Sequence, residues 1–346
     1  MPDGILNPAA RVLWRTAETV QLELGGRAVV LDGVDHSAVA WLLGQRGDTD
    51  DTGEQSRADL SEAIPALNTA GFLLHPTARP ARALPTPRLA TEWAVLRSRF
   101  GDHAHRVLSR RRRTTVEIRG TGRIAAVIGA SLAAAGVGGI YFTDADDVRL
   151  QQCAPGGLTP DDEGERFSAA AVAAVWRAAP DCDTRPVPPG GRPTLTVLTV
   201  DSPVDDDVRT ALHMHGRPHL VACTWPESAT IGPLVLPGSS SCLRCADLHR
   251  QERDPAWPVL AVQLSTPSRH AYGCDVVLAT LAAGMTVMQT LAFVDEPAHL
   301  PTVVDGTLEL RLPDWRVRRR SWPPHPDCDC GAYTDIARRD ALRPAE

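Results

Sequence analysis

The chain contains no lysine: all 36 of its Lys+Arg residues are arginine. That absence excludes a P-loop lysine, a Schiff-base lysine, a lysine general base and a lysine clamp on a triphosphate, although arginine still binds phosphate through its planar fork. Aromatic residues are scarce, at 5%. No basic and apolar leader opens the sequence, so a secretory signal is not expected and a cytoplasmic location is. Positive charge is not in excess either: 42 acidic residues leave a formal net charge of −6, which disfavours nucleic acid and a membrane surface as partners. One stretch, Val276 to Val294, has membrane-like length. It is interrupted by Thr280, Gly284, Thr286, Gln289 and Thr290, and reads as a buried core helix.

With 346 residues, 43% hydrophobic and 23% charged, the chain has room for two domains. Composition breaks after residue 75, where a run from His75 to Pro87 is rich in proline and predicts a stiff linker. The expected division is a module over residues 1–75, a linker and connecting helix over 76–114, and a larger domain over 115–346. In the first module, Val12 to Trp14, Val20 to Leu24 and Ala28 to Leu31 alternate or cluster apolar residues around a Gly25-Gly26 turn, a small β-meander. Asp35 caps a helix carrying Val39, Leu42 and Leu43. Ser56 opens a second with Leu60, Ile64 and Leu67 on one face, ended by Gly71, and Phe72 to Leu74 closes the module as a strand. This is a winged-helix-type pattern. A DNA-reading version needs a basic recognition helix, and here Arg57 stands against Asp59 and Glu62.

The larger domain reads as α/β. A strand from Thr115 to Arg119 meets Gly120-Thr-Gly122, an alanine-rich helix follows, and a strand from Ile140 to Thr143 ends at Asp144, the βαβ arrangement that cradles phosphate. A helix over Ala169 to Ala178 and buried strands at Leu195 to Val200 and His219 to Thr224 predict a mostly parallel sheet. Of eight cysteines, Cys242 and Cys245 form a Cys-x-x-Cys knuckle, and Cys328 and Cys330 a Cys-x-Cys before glycine. Two close thiolate pairs suit a tetrahedral, structural zinc, with His325 the one substitute ligand; a disulfide is the lesser option. Cys153, Cys182, Cys223 and Cys274 read as inert thiols. The run Arg110 to Arg113 reads as a solvated surface, with an acidic peptide or partner as the alternative.

The first module resembles the PqqD-like leader-recognition element of ribosomal-peptide modification enzymes. The resemblance implies that a peptide adds to the strand edge at Arg27, Val29 and Leu31 and lays apolar side chains beside Leu60, Ile64 and Leu67, the alternative being that those leucines and isoleucine form the module's core. Gly120-Thr-Gly122, Asp144-Ala-Asp146-Asp-Val148, Gly232-Pro-Leu-Val-Leu-Pro-Gly238, Cys242-x-x-Cys245 and Cys328-x-Cys330 resemble the ThiF/MoeB fold of ubiquitin-activating-type adenylating enzymes. With the front module, the combination is similar to the ThiF-like leader-peptide-binding proteins of azole- and thioamide-forming pathways. Active adenylating relatives carry Asn-Leu-x-Arg-Gln after the acidic segment and a lysine against the triphosphate; here Gln151-Gln-Cys-Ala-Pro155 stands in that place and the lysine is missing. The resemblance with these departures implies that Gly120, Gly122, Asp144 and Asp201 are vestiges of a nucleotide loop and that ATP is not used. It implies a non-catalytic scaffold that presents a precursor peptide to a YcaO-type or other modifying enzyme, with a homodimer possible. An active adenylyltransferase is the competing expectation.

Overall fold

The computed structural model describes residues 5–7, 9–43, 60–74, 86–144, 146–188, 190–199, 204–265 and 274–333. Two compact units divide it, Met1–Ser109 and Arg110–Glu346. In the first, β1 (Ile5–Leu6) is followed by β2 (Arg11–Trp14), β3 (Thr19–Leu24), β4 (Arg27–Asp32), α1 (His36–Leu42), α2 (Ile64–Thr69), β5 (Leu73–Leu74), α3 (Ala90–Phe100) and α4 (Ala104–Arg113), whose last turn enters the second unit. Strands β2, β3 and β4 form an antiparallel meander with β4 on its edge, and β1 pairs with β5. Val20, Leu22 and Leu24 alternate inward along β3, so one face of the meander is buried. Gly25 and Gly26 turn the chain at φ 56° and 81°, a left-handed pair that side-chain-bearing residues resist. Asp35 Oδ1 accepts the Ala38 N–H and caps α1. The residues expected to open the second helix, Ser56 to Asp59, and most of the proline-rich linker lie outside the described residues.

The second unit runs β6 (Thr115–Arg119), α5 (Ala125–Ala134), β7 (Gly139–Phe142), α6 (Phe167–Ala178), β8 (Leu195–Leu198), α7 (Asp206–Met214), β9 (His219–Trp225), β10 (Ser228–Val235), α8 (Leu243–Arg253), α9 (Trp257–Ser265), α10 (Val276–Asp295), β11 (Gly306–Arg311) and β12 (Val317–Ser321). They build one seven-stranded sheet in the order β12-β11-β10-β9-β8-β6-β7. Strands β7, β6, β8 and β9 run parallel, and β10, β11 and β12 extend the sheet antiparallel. Helices α5, α6 and α10 contribute to its main core, where Ile118, Ile128, Leu132, Phe167 and Leu278 are buried. Helix α10 is capped by Asp275, which accepts the Val277 and Leu278 N–H groups. By length and composition it could span a membrane; Leu278, Ala279, Ala282 and Ala283 instead pack into this core, while Val277, Leu281 and Met288 face outward.

The arginine run before β6 departs from the expected solvated surface. Arg111 is buried, and its Nε and Nη2 donate to both carboxylate oxygens of Asp295 at 2.8 and 2.6 Å, while Nη1 donates to the Ala135 carbonyl at 2.9 Å. Arg110 donates to the Val294 and Asp295 carbonyls, the last of α10, where cationic groups complement the helix dipole. Only Arg112 and Arg113 of the four are exposed. Farther along the sheet, buried His219 donates from Nδ1 to the Arg217 carbonyl at 2.9 Å and, among the described residues, has no partner on Nε2. Burial pushes that imidazole down to about 4.

Candidate functional site

The glycine loop sits where β6 ends. Gly120 has φ 110°, and a Cβ there would overlap the Thr199 carbonyl of the neighbouring strand's extension, so both conformation and space demand glycine. Its N–H donates to Asp144 Oδ2 at 2.6 Å, which joins the loop to the acid expected at the end of the next strand. Helix α5 then starts at Ile124 with no side-chain cap, which leaves its first-turn N–H groups as a partial positive charge beside the loop. Gln152, in the segment that departs from the adenylating pattern, braces the loop: its Nε2 donates to the Thr121 carbonyl at 2.6 Å and its Oε1 accepts the Arg149 N–H at 2.7 Å. Asp201 lies outside the described residues.

Sequence reasoning passed over Arg123, although it directly follows Gly122. Its half-buried side chain donates from Nε to the Cys153 carbonyl at 2.8 Å and from Nη1 to the Cys274 carbonyl at 2.7 Å. Both acceptors are neutral, and no ion pair engages Arg123 among the described residues. A guanidinium has five N–H donors, so the fork retains groups for a further acceptor. A charged residue inside a glycine loop was the available signal.

The four paired cysteines converge. Cys242 Sγ lies 3.8 Å from Cys245 Sγ and 3.5 Å from Cys328 Sγ, and Cys245 Sγ lies 3.6 Å from Cys330 Sγ. A tetrahedron of sulfurs about 2.3 Å from a central zinc has edges of about 3.8 Å, so the donor set fits that ion with no position left open. Their protonation points the same way. Hydrogen bonds with Cys245 and Cys330, then burial, push the Cys242 thiol up, burial pushes Cys328 to about 12, and S–H donation from Cys242 and Cys245 holds Cys330 far down. Without a cation, then, Cys242 and Cys328 stay protonated beside a Cys330 thiolate, and a metal ion would displace those protons. His325 is not a fifth candidate: its Nδ1 accepts the Asp327 N–H at 3.1 Å and its Nε2 meets Glu252 Oε1 at 2.9 Å. His249 and Glu252, both on α8, complete this second cluster, but His249 Nε2 already donates to the Pro323 carbonyl at 2.9 Å.

On the front unit, Leu60, Ile64 and Leu67 are core residues packed with Leu22, Leu42 and Phe72, and Leu31 is buried with them. Arg27 is exposed and donates to the Ala70 carbonyl behind α2, Val29 is half-buried, and Val30 is exposed on the same edge strand.

The sequence matches no protein-family model and no curated protein. Solved structures do match. E. coli MccB crystallised with ATP aligns at a TM-score of 0.72 and 15% identity over 94% of this chain and 98% of its own. The microcin C7 biosynthetic enzyme MccB in complex with N-formylated MccA aligns at 0.71 and 15% identity over 94% and 99%. PaaA aligns at 0.67 and 15% identity over 91% and 99%. The fold is that of MccB. Nearly the whole chain takes part in the match, and it agrees with the ThiF/MoeB-like architecture expected from the motifs. The same match overturns the expectation of a non-catalytic scaffold serving a separate modifying enzyme. MccB, whose chain matches almost from end to end, is a biosynthetic enzyme and has been crystallised with ATP. The lysine argument behind the scaffold expectation also overlooked the guanidinium of Arg123.

Proposed function

We propose that the chain is an ATP-dependent adenylyltransferase that activates a carboxylate of a peptide substrate. Arg123 carries the reading: a half-buried cation with neutral partners stands directly after Gly122, where a chain without lysine needs one. In this reading the uncapped N–H groups at the start of α5 and the Arg123 fork meet the polyphosphate, since positioned donors neutralise the charge that develops on phosphoryl oxygens. Asp144 holds the Gly120 N–H with Oδ2 and offers Oδ1 to the ribose. A substrate carboxylate oxygen bonds to the α-phosphorus, the bond from that phosphorus to the pyrophosphate oxygen breaks, and an acyl adenylate and pyrophosphate result. The structures of MccB with ATP and with the MccA peptide support this choice of substrates.

The four cysteines hold a structural zinc, which supplies folding free energy and no chemistry at the loop. The front unit is a PqqD-like recognition element whose peptide adds to the free edge of β4 along Arg27, Val29 and Val30, with Leu60, Ile64 and Leu67 as the core beneath it. A cytoplasmic location and a homodimer complete the reading. The test is exchange of labelled pyrophosphate into ATP in the presence of candidate peptides, alongside direct nucleotide binding. Exchange that Asp144→Ala abolishes is the expected result; absence of both exchange and ATP binding overturns the proposal.

A further inference from the structure

Strand β12 closes one side of the large sheet, and every residue from Val317 to Ser321 is exposed. Its register fixes which main-chain groups are free. Ser321 stands opposite Gly306, and the Trp322 N–H donates to the Asp305 carbonyl at 2.9 Å, so Arg318 and Arg320 exchange hydrogen bonds with β11. The N–H and C=O groups of Val317, Arg319 and Ser321 therefore point away from the sheet, an open template for one more strand.

The charge around this edge is lopsided. Among the described residues, the ion pairs that Arg311, Arg316, Arg318, Arg319 and Arg320 make are with two carboxylates, Glu309 and Asp314. Glu309 pairs with Arg311 and Arg320, and Asp314 with Arg318. Arg319 gives its donors to the Thr302 and Val304 carbonyls and the Ser321 hydroxyl, all neutral, and Arg316 makes no ion pair among the described residues. The edge is thus a cationic patch on a chain whose net charge is −6. Exposed Trp315 and Val317 add apolar surface to it.

We propose that β12 docks an acidic, extended polypeptide segment by strand addition. Main-chain pairing with residues 317, 319 and 321 supplies the geometry, and carboxylates on the added strand meet the guanidiniums that lack acidic partners. A nucleic acid would use the charge but not the free N–H and C=O row, and the negative chain as a whole repels it. The position also bears on the activation reading, on which this one step depends. Five strand spacings separate β12 from β6, about 24 Å at about 4.8 Å each, so roughly seven extended residues link a segment held at β12 to the Gly120 loop.

The experiment titrates fluorescein-labelled Glu-Val-Glu-Val-Glu-Val against the full chain by anisotropy at low salt. Saturable binding is expected with a Kd on the order of 10–100 μM, weakening as salt is added. Three controls are each expected to lose at least about ten-fold: the Lys-Val counterpart, the same acidic peptide N-methylated at alternate amides, and the variant Arg316→Glu with Arg319→Glu. N-methylation alters only the probe, so its result stands whatever a variant does to folding. Absence of saturable binding, indifference to N-methylation, or tighter binding of an oligonucleotide than of the acidic peptide overturns the proposal and leaves the arginines as guards of an exposed edge. ATP binding is measured on the same samples: its absence from the wild-type chain sinks the activation reading, and its persistence in the variant beside lost peptide binding assigns the effect to β12.

Discussion

In the four-cysteine cluster, buried sulfurs face one another at 3.5–3.8 Å, and a metal ion at their centre would leave no ligand position open. At the glycine loop of the same unit, Asp144 uses only Oδ2 among the described residues, α5 begins without a side-chain cap and Arg123 leans on carbonyls that carry no charge. The first arrangement is closed, and losing a member costs folding. The second is open, and losing a member costs binding. Closure is what a structural site needs, whereas an unsatisfied donor set at the carboxyl end of parallel strands is what a ligand completes.

Four perturbations test that contrast. Replacing Cys245 with serine, or stripping metal with a chelator, is expected to do the most damage, because structural zinc contributes about 10 kcal/mol or more to folding at such sites; thermal melts and zinc content together report it. Arg111→Ala leaves the Asp295 carboxylate buried without its partner and is expected to cost roughly 3–5 kcal/mol in denaturant titrations, with nucleotide affinity unchanged. His219 sharpens the comparison as a buried group left open. Its folded value of about 4 lies below the unfolded value of 6.5, so its contribution is intact above pH 6.5 and is lost as the pH falls toward 4, roughly 3 kcal/mol in all. His219→Gln should flatten that slope in stability measured against pH. Arg123→Ala is the smallest in free energy and the most specific: nucleotide affinity should fall roughly ten- to hundred-fold while the melting temperature moves less than in any closed-site variant. A melting shift as large as that of Arg111→Ala with affinity intact would erase the distinction.

What could be read from the sequence followed the range of the interaction. Cys242 with Cys245 and Cys328 with Cys330 are short-range spacings whose chemistry is written locally, and the fold brings the two pairs together; Gly120 with Gly122 marked a strand-to-helix turn in the same local way. The apolar run of α10 identified itself by composition, and its polar members did not stop it from being a core helix. Arg111 was misread because a row of four arginines has no phase. Only Asp295, 184 residues away, decides which of them turns inward. Arg123 was missed for the same reason, its anchors being the main chain at Cys153 and Cys274, at separations of 30 and 151 residues. Strands β11 and β12 gave no signal either, since three of the five residues of β12 are arginine and it is held as a strand by pairing rather than by an apolar face.

The thiolate clasp also sets the order in which force can dismantle the molecule. An unfolding motor that grips the tail beyond Cys330 meets the clasp before it reaches any strand, and through Cys242 and Cys245 its pull passes into the start of α8 rather than into the hydrogen bonds of β12. With a metal ion in place, α10, β11 and β12 lie inside a loop tied off between Cys245 and Cys328. They cannot be peeled away one after another, so mechanical resistance there depends on metal–sulfur bonds more than on the sheet.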